Sequence, residues 1–172
     1  MTRSLSQQDI SAKDKVIVCL VVLFTAIAMT LEFYWIVHNQ EMENRTDILA
    51  RAIMLFWPAD RTFRLPGYSV EKAFTLAIEM GNTLITPWLS AFLIWAVLKR
   101  RPYRYALQLV IATYTCYGTL LYYSVAHISG YVIFERKSVG IFLLFYFVNF
   151  PWLAAYGWMG WDAYRAIARQ RA

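Results

Sequence analysis

Charge is what this sequence has least of. Only 16% of its 172 residues are Asp, Glu, Lys or Arg, against about 25% in a soluble domain. The deficit is local, because long stretches carry almost no charge at all. An ordinary solvated surface is therefore excluded for most of the chain. Cysteine is also scarce. Cys19 and Cys116 both lie in apolar runs and read as packing residues. Two cysteines alone build neither a disulfide framework nor a metal site. No glycine-rich phosphate loop, zinc spacing, nucleophile elbow, internal repeat or low-complexity linker stands out. What remains is apolar: 59% hydrophobic residues, 17% aromatic. The net charge of +6 would suggest nucleic acid in a soluble protein. Here the basic residues flank apolar runs, so they read as lipid-headgroup and topology signals, with no nucleic acid implied.

Four apolar segments span about Val16–Val37, Ala73–Leu98, Tyr103–Ala126 and Val139–Tyr164. Crossing the hydrocarbon needs about 20 residues. The expected fold is all-α: a polytopic membrane protein, one domain over residues 1–172, with four transmembrane helices in a bundle. The first segment does not read as a cleavable signal, since Asp9 and Asp14 precede it and its apolar core is long. Arg3, Lys13, Lys15, Lys99, Arg100, Arg101, Arg104, Arg165, Arg169 and Arg171 fall on one side, ten in all. Arg45, Arg51, Arg61, Arg64, Lys72, Arg136 and Lys137 fall on the other, seven, diluted by Glu41, Glu43, Asp47, Asp60 and Glu71. The bias predicts cytoplasmic termini. The one long loop, His38 to Val70, is then lumenal. Within it Thr46 or Asp47 is expected to cap an interfacial helix running to Trp57, which Pro58 ends. Asn44-Arg45-Thr46 is a glycosylation sequon on that side. His38 and His127 sit at helix ends and read as interfacial.

Carboxylates inside the membrane are costly, about 2.5–3.5 kcal/mol on insertion scales. Glu32 lies in Met29-Thr30-Leu31-Glu32-Phe33-Tyr34-Trp35, and Glu79 in Leu76-Ala77-Ile78-Glu79-Met80-Gly81-Asn82. The helices run in opposite directions, so both acids are expected at matched depth in the lumenal half. Neighbouring carboxyls titrate apart, which favours one proton donor and one acceptor. Thr75, Glu79, Asn82, Thr83 and Thr86 recur at helical spacing as one polar stripe. Gln108, Thr115, Thr119 and Tyr122 on the third segment, and Tyr146, Asn149, Trp152 and Tyr156 on the fourth, extend it. Interhelical hydrogen bonding is the plain explanation for the threonines. An apolar, aromatic pocket with two acids is the sharper one. It would suit an amine or an alkene awaiting protonation.

These residues resemble the EXPERA family, which includes the emopamil-binding sterol isomerases. The matching text is Ile78-Glu79, Thr86-Pro87-Trp88-Leu89-Ser90, Arg101-Pro102-Tyr103-Arg104-Tyr105-Ala106-Leu107-Gln108-Leu109-Val110, Tyr117-Gly118, Leu121-Tyr122 and Phe145-Tyr146-Phe147-Val148-Asn149-Phe150-Pro151-Trp152. Leu31-Glu32-Phe33-Tyr34-Trp35 matches more weakly. The resemblance implies that Glu32 and Glu79 are the acid pair, and that Asn149 and Trp152 support a carbocation. Asn82, Thr83, Thr86, Thr115, Thr119, Tyr122 and Tyr146 would contact substrate. Three positions depart from the isomerase pattern: Ala28 stands where a histidine is expected, Asn82 where a threonine is, and Thr119 where an aspartate is. The departures imply an altered proton route.

The leading expectation is a cofactor-independent, metal-free isomerase or cyclase in the endoplasmic reticulum membrane. It would act on a lipophilic polycyclic or polyene substrate, sterol- or terpenoid-like or a specialised metabolite, with membrane lipid around it and a homodimer as the expected assembly. A pericyclic cyclase of secondary metabolism on the same fold is one alternative. A non-catalytic sterol or amine binder resembling the sigma-2 receptor is another. A structural assembly partner is a third, which nothing in the loops favours.

Overall fold

The computed structural model describes residues 10–169. Arg3, Asp9 and Arg171, which enter the orientation argument, lie outside them. All regular elements among the described residues are helical, and four helical stretches are long and apolar enough to cross a membrane.

The first span comprises α1 (Ala12–Ile27), a π-helical turn (Ala28–Glu32) and α2 (Phe33–His38). Ser11 starts it by accepting from the Asp14 N–H at 3.1 Å. Ile17, Val21, Phe24 and Ala28 form its inward stripe. Val16, Val22 and Leu23 on the outer side are exposed, the pattern of a lipid-facing surface. Cys19 is exposed with them, so it does not pack in the core. The reason is its place between the inward residues Ile17 and Val21. At the π turn, the Thr30 hydroxyl takes the Ala26 carbonyl at 2.7 Å and the Phe33 N–H reaches back to Ala28 O. That local competition for carbonyls accompanies the widened turn.

The second span is the single apolar segment expected, Val70–Leu98, interrupted at Ile85 into α4 (Val70–Leu84) and α5 (Thr86–Leu98). Pro87 is the cause. It lacks an N–H and restarts the helix in its first turn, where no intrahelical donor is needed. Helix α6 (Arg104–Ile128) and helix α7 (Val139–Arg169) complete the bundle. Helix α7 runs past the end read from hydropathy because Arg165 and Arg169 continue it into the interface, while α6 keeps within two residues of its expected bounds. Helix α7 passes Pro151 without a break. Helices α6 and α7 approach closely where Gly160 faces Ala112, since a Cβ there would meet the Ala112 Cβ at 3.2 Å.

The loop helix α3 (Ile48–Met54) is shorter than expected. Asp47 caps it, accepting from the Ala50 N–H at 3.1 Å. After Met54 the chain tightens into three-residue turns, with Leu55 bonding to Ala52 O and Phe56 to Ile53 O, well before Pro58. Asp47 also accepts from the Tyr34 hydroxyl and from Arg45. These partners, Tyr34 foremost, then the Ala50 N–H and Arg45, hold the Asp47 carboxyl down at about 2. A depressed carboxyl stabilises the fold above its unfolded value near 4 and loses that contribution as pH falls through about 2. The amide protection factors over Ile48–Met54, corrected for intrinsic exchange, are therefore expected to be level from pH 7 to 5 and to fall between pH 4 and 2. Flat protection across that window would contradict the assignment.

The loop is sewn to the spans from beneath. Trp35, fully buried, donates its indole N–H to Phe63 O at 3.1 Å. Lys72 is 2% exposed and its ammonium donates to Asn39 O and Leu65 O, both at 2.6 Å. Replacing Lys72 with alanine leaves one buried and one partly buried carbonyl unpaired. We expect a loss of about 2–3 kcal/mol, read as a lower melting temperature in detergent. On the far side Arg61 N bonds to Ile133 O at 2.8 Å and Glu135 N to Pro58 O at 3.0 Å. These bonds hold the Pro58–Phe63 segment against the loop between α6 and α7.

His38 and His127 do lie at helix ends. His38 contacts Glu41 at 2.6 Å and Arg45 at 3.0 Å, and His127 contacts the Tyr131 hydroxyl at 3.1 Å.

Candidate active site

Helical periodicity brings the two acids together. Glu32 closes the π turn of the first span, and Glu79 sits two to three turns into α4. Their carboxyl groups face each other within hydrogen-bonding reach. Two carboxyls can hydrogen-bond only when one carries a proton, so the pair is a donor beside an acceptor. Asn82, one turn along α4, approaches the Glu79 carboxyl at 3.5 Å. The second Glu32 oxygen, Oε2, is buried and has no hydrogen-bond partner among the described residues.

Two cavities meet at this pair. The inner one, about 50 Å³, is polar and is lined by Asn82, Thr115, Thr119 and Tyr122 together with the acids. The outer one, about 250 Å³, is largely apolar, walled by Leu31, Ile53, Phe56, Leu144 and Val148. Glu32, Glu79, Asn149 and Trp152 line both. Those four therefore stand at the waist between a polar recess and an apolar chamber.

Helix α7 supplies its two from one face, at i and i+3. The Asn149 amide donates to Phe145 O at 2.8 Å, which fixes its orientation. Trp152 is clamped against aromatic neighbours. Its ring lies 4.3 Å from that of Phe24 and stacks parallel to Tyr156 at 6.3 Å. An indole face held rigidly beside two carboxyls is suited to a developing cation.

The stripe on α4 divides on closer view. Thr83 does not line either cavity. It lies one residue past Asn82, about 100° around the helix, and its hydroxyl returns to Glu79 O at 2.9 Å. Thr86 falls beyond the break at Ile85, where it is buried and apart from the cavities. Tyr146 is likewise outside the lining and bonds the Tyr131 hydroxyl at 2.9 Å. Thr75 turns to the loop, sharing its hydroxyl with Asp60 and Glu71 O.

Asp60 is the residue that pattern reading passes over. It looks like one more loop acid, yet it is fully buried. Its carboxylate accepts from the Thr62 N–H at 2.9 Å, the Thr62 hydroxyl at 2.6 Å, the Thr75 hydroxyl at 3.4 Å and the Tyr122 hydroxyl. Burial pushes this carboxyl upward, and the bonds from Thr62, Tyr122 and Thr75 oppose that. The hint available in the sequence was the Asp-x-Thr spacing of a side-chain turn. Nothing local marks such a turn as buried.

Fold and site together define a class: a helical, four-span membrane protein with paired carboxyls at the waist of an interior cavity. Residues 59–163 match EXPERA, the expanded EBP superfamily, and the chain belongs to that family. It is similar to the 3-beta-hydroxysteroid-Delta(8),Delta(7)-isomerase of Cavia porcellus, 30% identical over 100 residues, which cover 56% of this chain and 42% of that protein. The Rattus norvegicus isomerase of the same name is 28% identical over 109 residues, covering 61% of this chain and 46% of its own. The alignments thus span less than half of each relative's length.

Proposed function

We propose that this protein is a membrane-embedded isomerase of the sterol type, shifting a carbon–carbon double bond by paired proton transfer. The observation that carries the reading is the Glu32–Glu79 contact at the junction of a polar recess and an apolar chamber. The isomerase similarity supports the same chemistry.

The protonated member of the pair gives its proton to one alkene carbon. A new C–H bond forms and the π electrons leave a tertiary cation on the neighbouring carbon. The ionised member then removes a proton from the adjacent carbon, and that C–H pair becomes the new double bond. Atoms balance, with no oxidant or reductant. Trp152 and the Asn149 carbonyl face the cation, where fixed dipoles act most strongly because water is excluded. The apolar chamber holds the ring or polyene body. On this reading the enzyme resides in the endoplasmic reticulum membrane with both termini cytoplasmic, and it works as a homodimer.

Deuterated water tests the mechanism. Microsomes containing the protein are incubated with a panel of unsaturated sterols and polyenes, and products are followed by mass spectrometry. Proton transfer places one deuterium in the product. A rearranged product free of deuterium would instead support the pericyclic cyclisation. Retained amine binding with no turnover of any substrate would favour the receptor-like alternative.

A further inference from the structure

The end of the bundle away from α3 carries a second groove, which the reaction does not use. It measures about 370 Å³ and is walled by Lys13 of α1, Tyr105 of α6, and Trp158, Trp161, Arg165 and Arg169 of α7. Its charges are unevenly matched. Asp162, also in the wall, takes the Lys13 ammonium at 2.8 Å and the Gln108 amide at 3.3 Å. Lysine and aspartate therefore cancel. Arg165 and Arg169 are exposed and form no ion pair among the described residues. Arg104 nearby shows the contrast, tied to Asp14 at 2.9 Å and to the Tyr105 hydroxyl at 2.6 Å. The groove thus keeps two positive charges without a counter-ion. They stand one helical turn apart, where like charges repel, and an anion between them relieves that repulsion.

The same face of α7 turns apolar one step inward. Trp161 lies one turn and Trp158 two turns nearer the hydrocarbon than Arg165, and they are 59% and 41% exposed. Successive spacings of three, four and four place Trp158, Trp161, Arg165 and Arg169 on one side of the helix. Indoles favour the membrane interface, and guanidinium groups match phosphate oxygens in pairs. Arginines outermost with tryptophans beneath repeat the order of a phospholipid, phosphate outward and chains inward. We propose that this groove is a binding site for an anionic glycerophospholipid, its phosphate held by Arg165 and Arg169 and its acyl chains laid along Trp158 and Trp161. The site is independent of the isomerase reading, and neither falls with the other.

Native mass spectrometry of the full-length protein in neutral detergent provides the test. The protein is titrated with phosphatidic acid and with phosphatidylcholine of the same acyl chains. Wild type is expected to retain the anionic lipid about tenfold more tightly. Arg165→Gln with Arg169→Gln should bring the two lipids to parity, and each single substitution should remove part of the preference. Arg136→Gln with Lys137→Gln, at the opposite end of the bundle, should leave it whole. Excess inorganic phosphate should not displace the lipid, because it cannot use the tryptophan face.

Equal retention of the two lipids by wild type overturns the proposal. So does a preference that survives loss of both arginines. Displacement by an equal concentration of inorganic phosphate would make the groove a site for the free ion, and overturns the lipid assignment. If the double variant fails to fold, the single variants decide: a full preference in both Arg165→Gln and Arg169→Gln overturns the proposal.

Discussion

Glu79→Gln is expected to slow double-bond isomerisation by about a thousandfold, with the melting temperature unchanged. Glutamine has nearly the same shape and keeps an acceptor for Asn82, which lies 3.5 Å away. It cannot give or take a proton at working pH. Its amide can also donate to Glu32, so the contact between the two spans survives while the chemistry does not. Glu32→Gln should cost about as much. The double substitution should cost little more than either alone, since two groups that pass protons between themselves and one substrate work as a unit. Product formation by mass spectrometry beside a thermal melt provides the check. A Glu79→Gln protein retaining a tenth of wild-type turnover would mean that the acid pair is not the proton donor and acceptor.

Ala28→His should destabilise the protein by about 3 kcal/mol without raising its turnover. The resemblance to sterol isomerases expects a histidine at this position, so the substitution looks like a restoration. The structure opposes it. Ala28 opens the π turn at 1% exposure and continues the buried stripe of Ile17, Val21 and Phe24. Overpacking a closed site costs about 1–3 kcal/mol, and an imidazole buried without a partner adds a comparable penalty. For a domain of this size that corresponds to a fall in melting temperature of roughly 10 °C. Should Ala28→His melt like wild type and turn over faster, the site has room for the histidine and the proton route is not a different one. Tyr122 and Asp60 would supply that different setting. They line and back the recess with committed hydrogen bonds where no imidazole is present.

Some placements follow from helix geometry alone and others do not. Glu32 and Glu79 were readable as a pair because each distance from a helix end follows from 1.5 Å per residue. Asn149 and Trp152 were readable because i and i+3 share a helix face. Asn82 and Thr83 are neighbours in sequence and equally polar, yet only Asn82 lines the cavity. Helical period alone does not separate them, because the helix can be rotated until its partners are known. The break at Pro87 was visible in principle. Its effect, carrying Thr86 out of line with Asn82, depends on how α5 packs afterwards.

The sequence by itself determined the four spans and the all-helical class. Those follow from hydrophobicity, helix rise and the cost of charge in hydrocarbon, which act residue by residue. Tertiary structure alone decided that Asp60 is buried and that it takes the proton of Tyr122, 62 residues away. It also decided that the recess and the chamber meet at Glu32 and Glu79. A hydrogen bond across a folded loop depends on where the loop is pinned, here by Arg61 to Ile133 and Glu135 to Pro58. No local pattern encodes a partner that is close only in space.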